Sequence, residues 1–475
     1  MTHLSEAIPH LSLPLLSATL SFTMAACVLI LVLGGSGATR ALAVLCQLSS
    51  IGFLTGAAWL RARSGHNELL DPLWHQVKVD SVNEAILVLY GVLTLTILLL
   101  APRRDATGGF LVGVLFLFAA TVFTYGATSV AGFGAGWVLS ALPFALGCFR
   151  TPGVAHSPAL WIAVAISGVA LMGAAGLMGT SGMDFSHANG LAMALLLLAV
   201  ALRKGIFPVH SWLAQAFERG SLLPTVLFYN GHCGALLLVR AESTHLEAVV
   251  QQMLHYICWG ALLTALYTSF LMIAERKPRR LLAMLCVSQA SFILAGLSSG
   301  SHYGITGALI HWLVVAAAST GLVSVYRALE VRCAGVERST EGHLGLGAHA
   351  PRLAVFFLVC GLALVGLPGT LGYSAEDLLF HGALESQPVI GVALHLATAL
   401  NAIHLFRLFS RLFLGRLASE VAEIPDALFR ERLPLTMCLL FLVVGGLIPA
   451  PILRHREAVA QRIHAALEHE AAQSH

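Results

Sequence analysis

Apolar residues in this chain gather in long runs rather than in strand-like alternation or heptads. Runs of about 20 residues, the length at which a helix crosses a hydrocarbon core, lie near 11–33, 39–60, 82–101, 109–125, 127–148, 158–178, 188–207, 221–241, 253–274, 281–299, 303–327, 353–370, 387–413 and 433–453. They predict an all-α polytopic membrane protein with about fourteen transmembrane helices. Two runs end at prolines, Pro208 and Pro368. A helix should break there and free backbone groups for a polar cavity. The longest polar gap, 328–351, reads as a Gly- and charge-rich loop, so no soluble domain is expected. Residues 1–453 form one expected transmembrane domain, and 454–475 a short amphipathic or disordered C-terminal tail with Val459, Ile463 and Leu467 along one face.

Composition agrees: 57% of the 475 residues are hydrophobic and only 11% are charged, too little polar surface for a soluble domain of this size. A net charge of +3 without a basic arm excludes a nucleic-acid binder. The nine cysteines lie mostly in apolar runs without CxxC or Cys/His spacing, so they read as packing residues. A removable signal peptide is not expected. Loops after odd-numbered spans hold 18 of the 27 Lys and Arg, and loops after even-numbered spans hold 4. That bias puts the odd loops in the cytoplasm and both termini outside, in the inner (plasma) membrane. With no P-loop, dinucleotide fingerprint or metal-ligand cluster, no cofactor is expected in this chain, and energy must come from an ion gradient or a partner.

Charges deep in such runs are costly in lipid and mark a protein interior or a water-filled pathway. Arg203 and Lys204 end the run LAMALLLLAVAL just before Pro208. A charge pair beside a helix break points to ion or proton movement rather than simple anchoring. Arginine does not release its proton in proteins, so Arg203 reads as a fixed charge and Lys204 as its titrating neighbour. The alternative is that both snorkel to the cytoplasmic face. The other ionisable residues inside spans are Glu84, His232, His311, Glu376, Asp377, His395 and His404. His232 sits in LFYNGHCG, where Asn230 and Gly231 loosen an apolar span and suit a hydrated site. His311, in GALIHWLVVAAAST, is either a relay group or a packing histidine bonded to a neighbouring helix. His395 and His404 fall on opposed helix faces. Glu376 and Asp377 follow GLPGTLGYSA and repeat the charged break with opposite sign. Alternatively, Ser374 caps a helix whose first turn holds both carboxylates.

These segments also resemble a known family, the antiporter-like, proton-translocating membrane subunits of respiratory complex I and the Mrp antiporters. RKGIFPVHSWL at 203–213 is similar to the family's K-SAQ-x-P-x-H-x-WL, and RKPRRLLAMLCVSQASF at 276–292 to its D-x-KRLLAYSTISQMGF. GLPGTLGYSAED at 366–377, FRLFSRLFLG at 406–415 and VDSVNEAILVLY at 79–90 resemble further family segments in the same order. The resemblance implies two inverted repeats with broken helices near Pro208 and Pro368. It also implies a relay through Lys204, Arg203, His311 and Glu376. With His232 and Asp377 from the reading of the residues above, the expected proton pathway comprises Lys204, Arg203, His311, Glu376, His232 and Asp377. Departures are visible: Trp137-Val138 stands where the family has Trp-Glu, and Val315 and Ser319 replace a His and a Lys.

One branch is matched more closely. Ala214-Gln215-Ala216-Phe217-Glu218 after Trp212-Leu213 is similar to the WLxQxxE stretch of DabB, the membrane subunit of the DAB inorganic-carbon accumulation complexes. That resemblance implies a proton- or cation-conducting subunit that is not itself an enzyme. Its partner would be a large soluble zinc-binding, β-carbonic-anhydrase-like subunit of the DabA type on the cytoplasmic face, which would hold the zinc and hydrate CO2. The alternatives are a subunit of a cation/proton antiporter or a complex-I/hydrogenase-like pump, and a non-conducting membrane scaffold for a soluble enzyme.

Overall fold

The computed structural model describes residues 13–34, 37–150, 158–179, 182–244, 246, 248–333, 342–417 and 424–473, with side chains to residue 465. Its helices are α1 (Leu15–Leu33), α2 (Gly37–Ser64), α3 (Glu84–Leu100), α4 (Gly108–Gly126), α5 (Val130–Leu139), α6 (Leu142–Ala145), α7 (Ala159–Met178), α8 (Gly190–Lys204), α9 (Ser211–Arg219), α10 (Leu222–Asn230), α11 (Cys233–Glu242), α12 (Ala248–Ala274), α13 (Pro278–Leu297), α14 (His302–Arg332), α15 (Pro351–Leu364), α16 (Leu371–Ser386), α17 (Pro388–Phe413), α18 (Phe429–Leu447) and α19 (Ala450–Gln473). A small antiparallel hairpin, β1 (Glu68–Leu70) with β2 (Lys78–Asp80), pairs Glu68 with Asp80.

Each of the fourteen expected segments is filled by one helix or by a pair of helices. Among the described residues, nine helical segments alone are long and apolar enough to cross a membrane, and a tenth if α18 is joined to α19 across their 80° bend. Of the remaining four segments, α3 is continuous but only 17 residues long, and three are interrupted: α5 runs into α6, α8 stops before α9, and α15 stops before α16. Side-chain caps start several helices. Thr107 accepts from the Phe110 N–H (3.2 Å), Ser129 from Gly132 (3.1 Å) and Asn189 from Ala192 (2.8 Å).

The polar pairs at the helix ends test the alternation of loops independently of hydropathy. On one face Arg327 bonds Asp105 and Glu330 (2.5 and 2.6 Å), Arg279 bonds Glu330 (2.5 Å), Arg332 bonds Glu431 (2.5 Å), and Lys277 pairs with Glu218. On the other, Arg61 forks onto both Glu84 oxygens (2.6 Å each), Arg240 pairs with Asp80, and Arg462 donates to Asn67 (2.7 Å). The first set joins only loops that follow odd-numbered segments, and the second only the remaining ends. A miscounted crossing would have mixed the two sets. We call the first the arginine-rich face.

The 31-residue α14 is the central pillar, buried along its apolar length and packed by α3, α10, α13, α15, α16, α18 and α19. Small residues permit the close approaches that packing in lipid requires. A Cβ added at Gly307 of α14 would stand 2.7 Å from the Ala375 carbonyl of α16. All nine cysteines are free thiols, eight of them buried.

Two expectations change. The C-terminal helix begins at Ala450, not at 454, and its apolar face is buried against the protein: Val459, Ala460 and Ile463 are buried and α19 packs on α14. The Leu467 side chain lies outside the described residues. Arg456 from this helix is buried and donates to the Val82 carbonyl (3.0 Å), while His455 reaches Glu84 (3.0 Å). Ser374 does not cap a helix, because α16 starts three residues earlier with Thr370 before it.

Candidate ion path

The first break follows from a left-handed glycine and a proline in quick succession. Gly205 (φ 68°) ends α8 one residue after Lys204, and the chain turns through Pro208 before α9 resumes at Ser211. The carbonyls freed at the break find partners: Trp212 Nε1 donates to Leu202 O (2.8 Å) and the Tyr229 hydroxyl to Lys204 O (2.9 Å). Both charged side chains turn inward. Arg203 is 4% and Lys204 3% exposed, which rules out snorkelling.

The two then diverge. Arg203 donates to the Trp137 carbonyl (2.9 Å) and to Ser140 Oγ (2.8 Å), with its guanidinium between the rings of Trp137 (4.7 Å) and Phe228 (4.1 Å). No carboxylate is among these contacts. Two oxygen acceptors, the Cys233 sulfur (4.0 Å) and two aromatic faces hold the charge instead. The missing glutamate position, Val138, is partly exposed and lies against Gly168 of α7. Lys204 Nζ stands 2.5 Å from His232 Nδ1 and 4.2 Å from the centre of the Tyr229 ring. An ammonium can donate to that ring nitrogen, or a neutral amine can accept from its N–H, but two charged groups could not share this contact. The contact leaves room for one proton between two bases.

His232 owes its place to a second interruption. It adopts left-handed geometry (φ 44°) where α10 ends and α11 begins, which swings its ring out of the helix line. Its Nε2 is buried without a hydrogen-bond partner, and the rings of Tyr229 and Trp312 lie 5.9 and 6.2 Å away. The neighbouring Asn230 donates to Ser319 Oγ (2.8 Å), Thr320 Oγ1 (2.8 Å) and the Ala316 carbonyl (3.1 Å), which ties this break to α14.

His311, one residue before Trp312 on α14, is fully buried with its ring 5.8 Å from that of Phe292. Neither of its nitrogens meets a well-aligned hydrogen-bond partner, and the Gln289 main chain is the polar group beside it. The Gln289 side chain is also buried, with neither amide atom partnered. At the second break, positive-φ Gly366 (φ 69°) and Gly369 (φ 89°) flank Pro368 between α15 and α16. Glu376 is 4% exposed, and its carboxylate lies over Gly366 so closely that any Cβ there would strike Oε2. Its Oε1 has no well-aligned partner, with Thr398 the nearest hydroxyl.

The structure therefore brings Lys204 and His232 into contact, keeps Arg203 adjacent but turned toward α5, and sets His311 and Glu376 as separate buried stations. Asp377 does not join them; it is exposed on the outer side of α16. His395 bonds the Gly391 carbonyl of its own helix (2.8 Å), and His404 bonds the Ser269 carbonyl (3.0 Å) while its Nδ1 is buried without a partner, so both are anchored to main-chain carbonyls. Sequence reasoning missed the bonding of Asn230 to Ser319, the bare Gln289 amide, and the buried carboxyl of Glu242. Only Glu242 left a trace, an acidic residue ending the apolar run GALLLVRAE. Among the described residues, no group of three or more His, Cys, Asp or Glu is placed to hold a metal ion.

The family model described as "NADH:quinone oxidoreductase/Mrp antiporter, TM" matches residues 159–401, just over half the chain. The chain is 26% identical over 273 residues to NADH-quinone oxidoreductase subunit M of Rickettsia bellii, covering 56% of this chain and 54% of that protein. It is 28% identical over 267 residues to subunit N of Desulforudis audaxviator, covering 54% and 53%. It thus spans about half the length of these curated relatives. Its fold matches a chain of respiratory complex I from Thermus thermophilus (TM-score 0.82, 21% identity, 95% of this chain and 99% of that one). It also matches a chain of the Mrp complex from Dietzia sp. (TM-score 0.81, 18% identity, 95% and 98%).

Proposed function

This chain belongs to the NADH:quinone oxidoreductase/Mrp antiporter membrane family, and we propose that it is a proton-conducting subunit that serves a partner in a larger complex. The observation that carries the reading is the buried contact between Lys204 and His232 at a helix break, 2.5 Å apart with no carboxylate to neutralise them. Such a pair passes a proton without a large movement, because each nitrogen can serve as donor or acceptor. Arg203 acts as a fixed positive charge that biases the pair. His311 and Glu376 serve as further stations, with water bridging the gaps. Asp377, exposed on α16, serves as a surface group outside that path. Proton uptake into proteoliposomes under an imposed gradient tests this. A chain that passes no protons would be the scaffold of the third reading.

The finer assignment is inorganic-carbon accumulation, in which proton flow is coupled to CO2 hydration by a DabA-type zinc subunit bound on the cytoplasmic, arginine-rich face. Its support is the Gln215–Glu218 stretch on α9. Glu218 pairs there with Lys277 and lies 3.7 Å from Arg280, giving a charged, accessible surface beside the first break. The expected orientation, with both termini outside the inner membrane, belongs to this proposal. Affinity purification with a zinc assay decides it. A single large zinc protein supports it, whereas a string of membrane subunits favours an antiporter or a complex-I-like pump, the reading that the fold matches favour.

A further inference from the structure

Glu242 ends α11 on the face opposite the arginine-rich loops, and it is 3% exposed. Its Oε1 accepts the Ser298 hydroxyl (2.7 Å), and its Oε2 is buried with no hydrogen-bond partner. Among the described residues no cation pairs with it: Arg240, two residues earlier, pairs with Asp80. The titratable side chain that α12 turns toward it is Cys258, a thiol whose Sγ bonds the Ala295 carbonyl (3.3 Å). From α13 it meets a serine. An ionised carboxylate with one hydroxyl donor in such surroundings is far costlier than the neutral acid, so the group carries a proton at rest.

A serine-rich turn lies between this carboxyl and a surface cavity. Ser298 belongs to the tight turn between α13 and α14, where Ser298, Ser299 and Ser301 are all buried and the Ser301 N–H donates to Ser299 Oγ (3.3 Å). Ser301 also lines a surface cavity of about 330 Å³, together with His302, Tyr303, Glu385 and His464. That volume holds several waters. On the inner side, α13 carries the unpartnered Gln289 amide nine residues before Ser298, about 13 Å along the helix at ~1.5 Å per residue. Gln289 adjoins His311.

We propose that Glu242 is a proton-loading carboxyl, filled from the cavity beside His302 through the Ser301–Ser299–Ser298 turn and emptied toward Gln289 and His311. The proposal rests on the proton-conducting reading above. A proton, rather than a metal cation, is the ligand the site fits. A hard cation collects roughly six or more oxygens, and here the carboxyl meets one hydroxyl, which donates to it.

Two measurements on the purified full-length chain test this. The first is dicyclohexylcarbodiimide, which adds to protonated carboxyls in apolar surroundings, followed by peptide mapping. The second is proton flux into proteoliposomes. We expect an adduct on Glu242 that sodium does not prevent. Glu242→Gln should keep the melting temperature of the native chain and lower flux at least ~10-fold, within the range of a lost acid–base group. Ser298→Ala should lower flux by a smaller factor. Native flux in Glu242→Gln overturns the proposal while the preceding reading stands, and so does an absent adduct when Glu376 is labelled. Protection by sodium overturns it in favour of a cation site. If the native chain passes no protons, the preceding reading falls, and an adduct on Glu242 then marks a neutral structural acid rather than a loading site.

Discussion

The two broken helices share a plan and differ in how their charges are met. At the first break, both charges and the freed carbonyls are answered: Arg203 by the Trp137 carbonyl, Ser140 and two rings, Lys204 by His232, and the Leu202 and Lys204 carbonyls by Trp212 and Tyr229, while His210 Nδ1 and His232 Nε2 stay buried without a partner. At the second, Glu376 stands over Gly366 with one oxygen lacking a well-aligned partner. The first break holds cationic groups by dispersing them over neutral acceptors, which works for guanidinium because its charge is spread over a plane. The second holds an acid that is cheap only while protonated. In the proposed path one end would thus keep a proton between two bases, and the other would keep it on a lone carboxyl. The charge sign of each break decides which protonation state is at rest.

The largest test of that contrast removes the paired base. Lys204→Met should lower proton flux ~100-fold or more, as expected for loss of an acid–base group, while membrane insertion and assembly persist. Native flux in that variant would break the comparison outright. At the second break, Glu376→Gln should reduce flux at least ~10-fold, because the amide cannot release a proton at the same site. Gly366→Ala should do so indirectly. Its Cβ meets the Glu376 carboxylate, and the left-handed backbone (φ 69°) adds about 1–3 kcal/mol of strain, read as a lower melting temperature together with reduced flux. A melting temperature unchanged from the native chain would separate Glu376 from the break.

A smaller effect sharpens the first half of the comparison. Arg203→Lys keeps the charge but loses the fork onto Trp137 O and Ser140 and the stack between Trp137 and Phe228. About 1–2 kcal/mol of stability should go with it, seen in thermal unfolding in detergent. No loss would show that positive charge alone suffices. The smallest effect belongs to the surface. The Lys277 hydrogen bond, aided by Arg280 and Arg219, holds the Glu218 carboxyl below its ordinary value of 4.5. A depressed carboxylate stabilises the fold above that ordinary value, and the contribution fades as pH falls through the lower folded value. The pair is partly solvated, so Lys277→Ala should cost about 0.5 kcal/mol or less near neutral pH, screened by salt, and that cost should disappear only once pH falls below the lower folded value. A marked loss of partner binding in the same variant would tie this surface to a docking role.

Much of the fold was legible because hydropathy and charge parity are properties of the chain itself. Run length set the spans, proline and glycine set the breaks at 208 and 368, and the arginine bias set the alternation that the ion pairs reproduce. Lys204, His232, His311 and Glu376 could be named because an ionisable residue in an apolar run is conspicuous. Asp377 was named for the same reason and turned outward, since neighbours in a helix point about 100° apart and only packing selects which one faces inside. The capping role of Ser374 failed because the backbone at Gly369 and Thr370 lets α16 begin earlier.

What the sequence by itself determined, then, is the membrane class, the spans, the breaks and a short set of charges that cannot face lipid. Tertiary structure alone decided who meets whom. It set Lys204 on His232, Asn230 on Ser319 and Glu242 on Ser298, and it folded the C-terminal helix over α14. Those choices depend on left-handed geometry at one histidine and on the close approach of helices far apart in sequence. Hydrophobic periodicity carries no information about either.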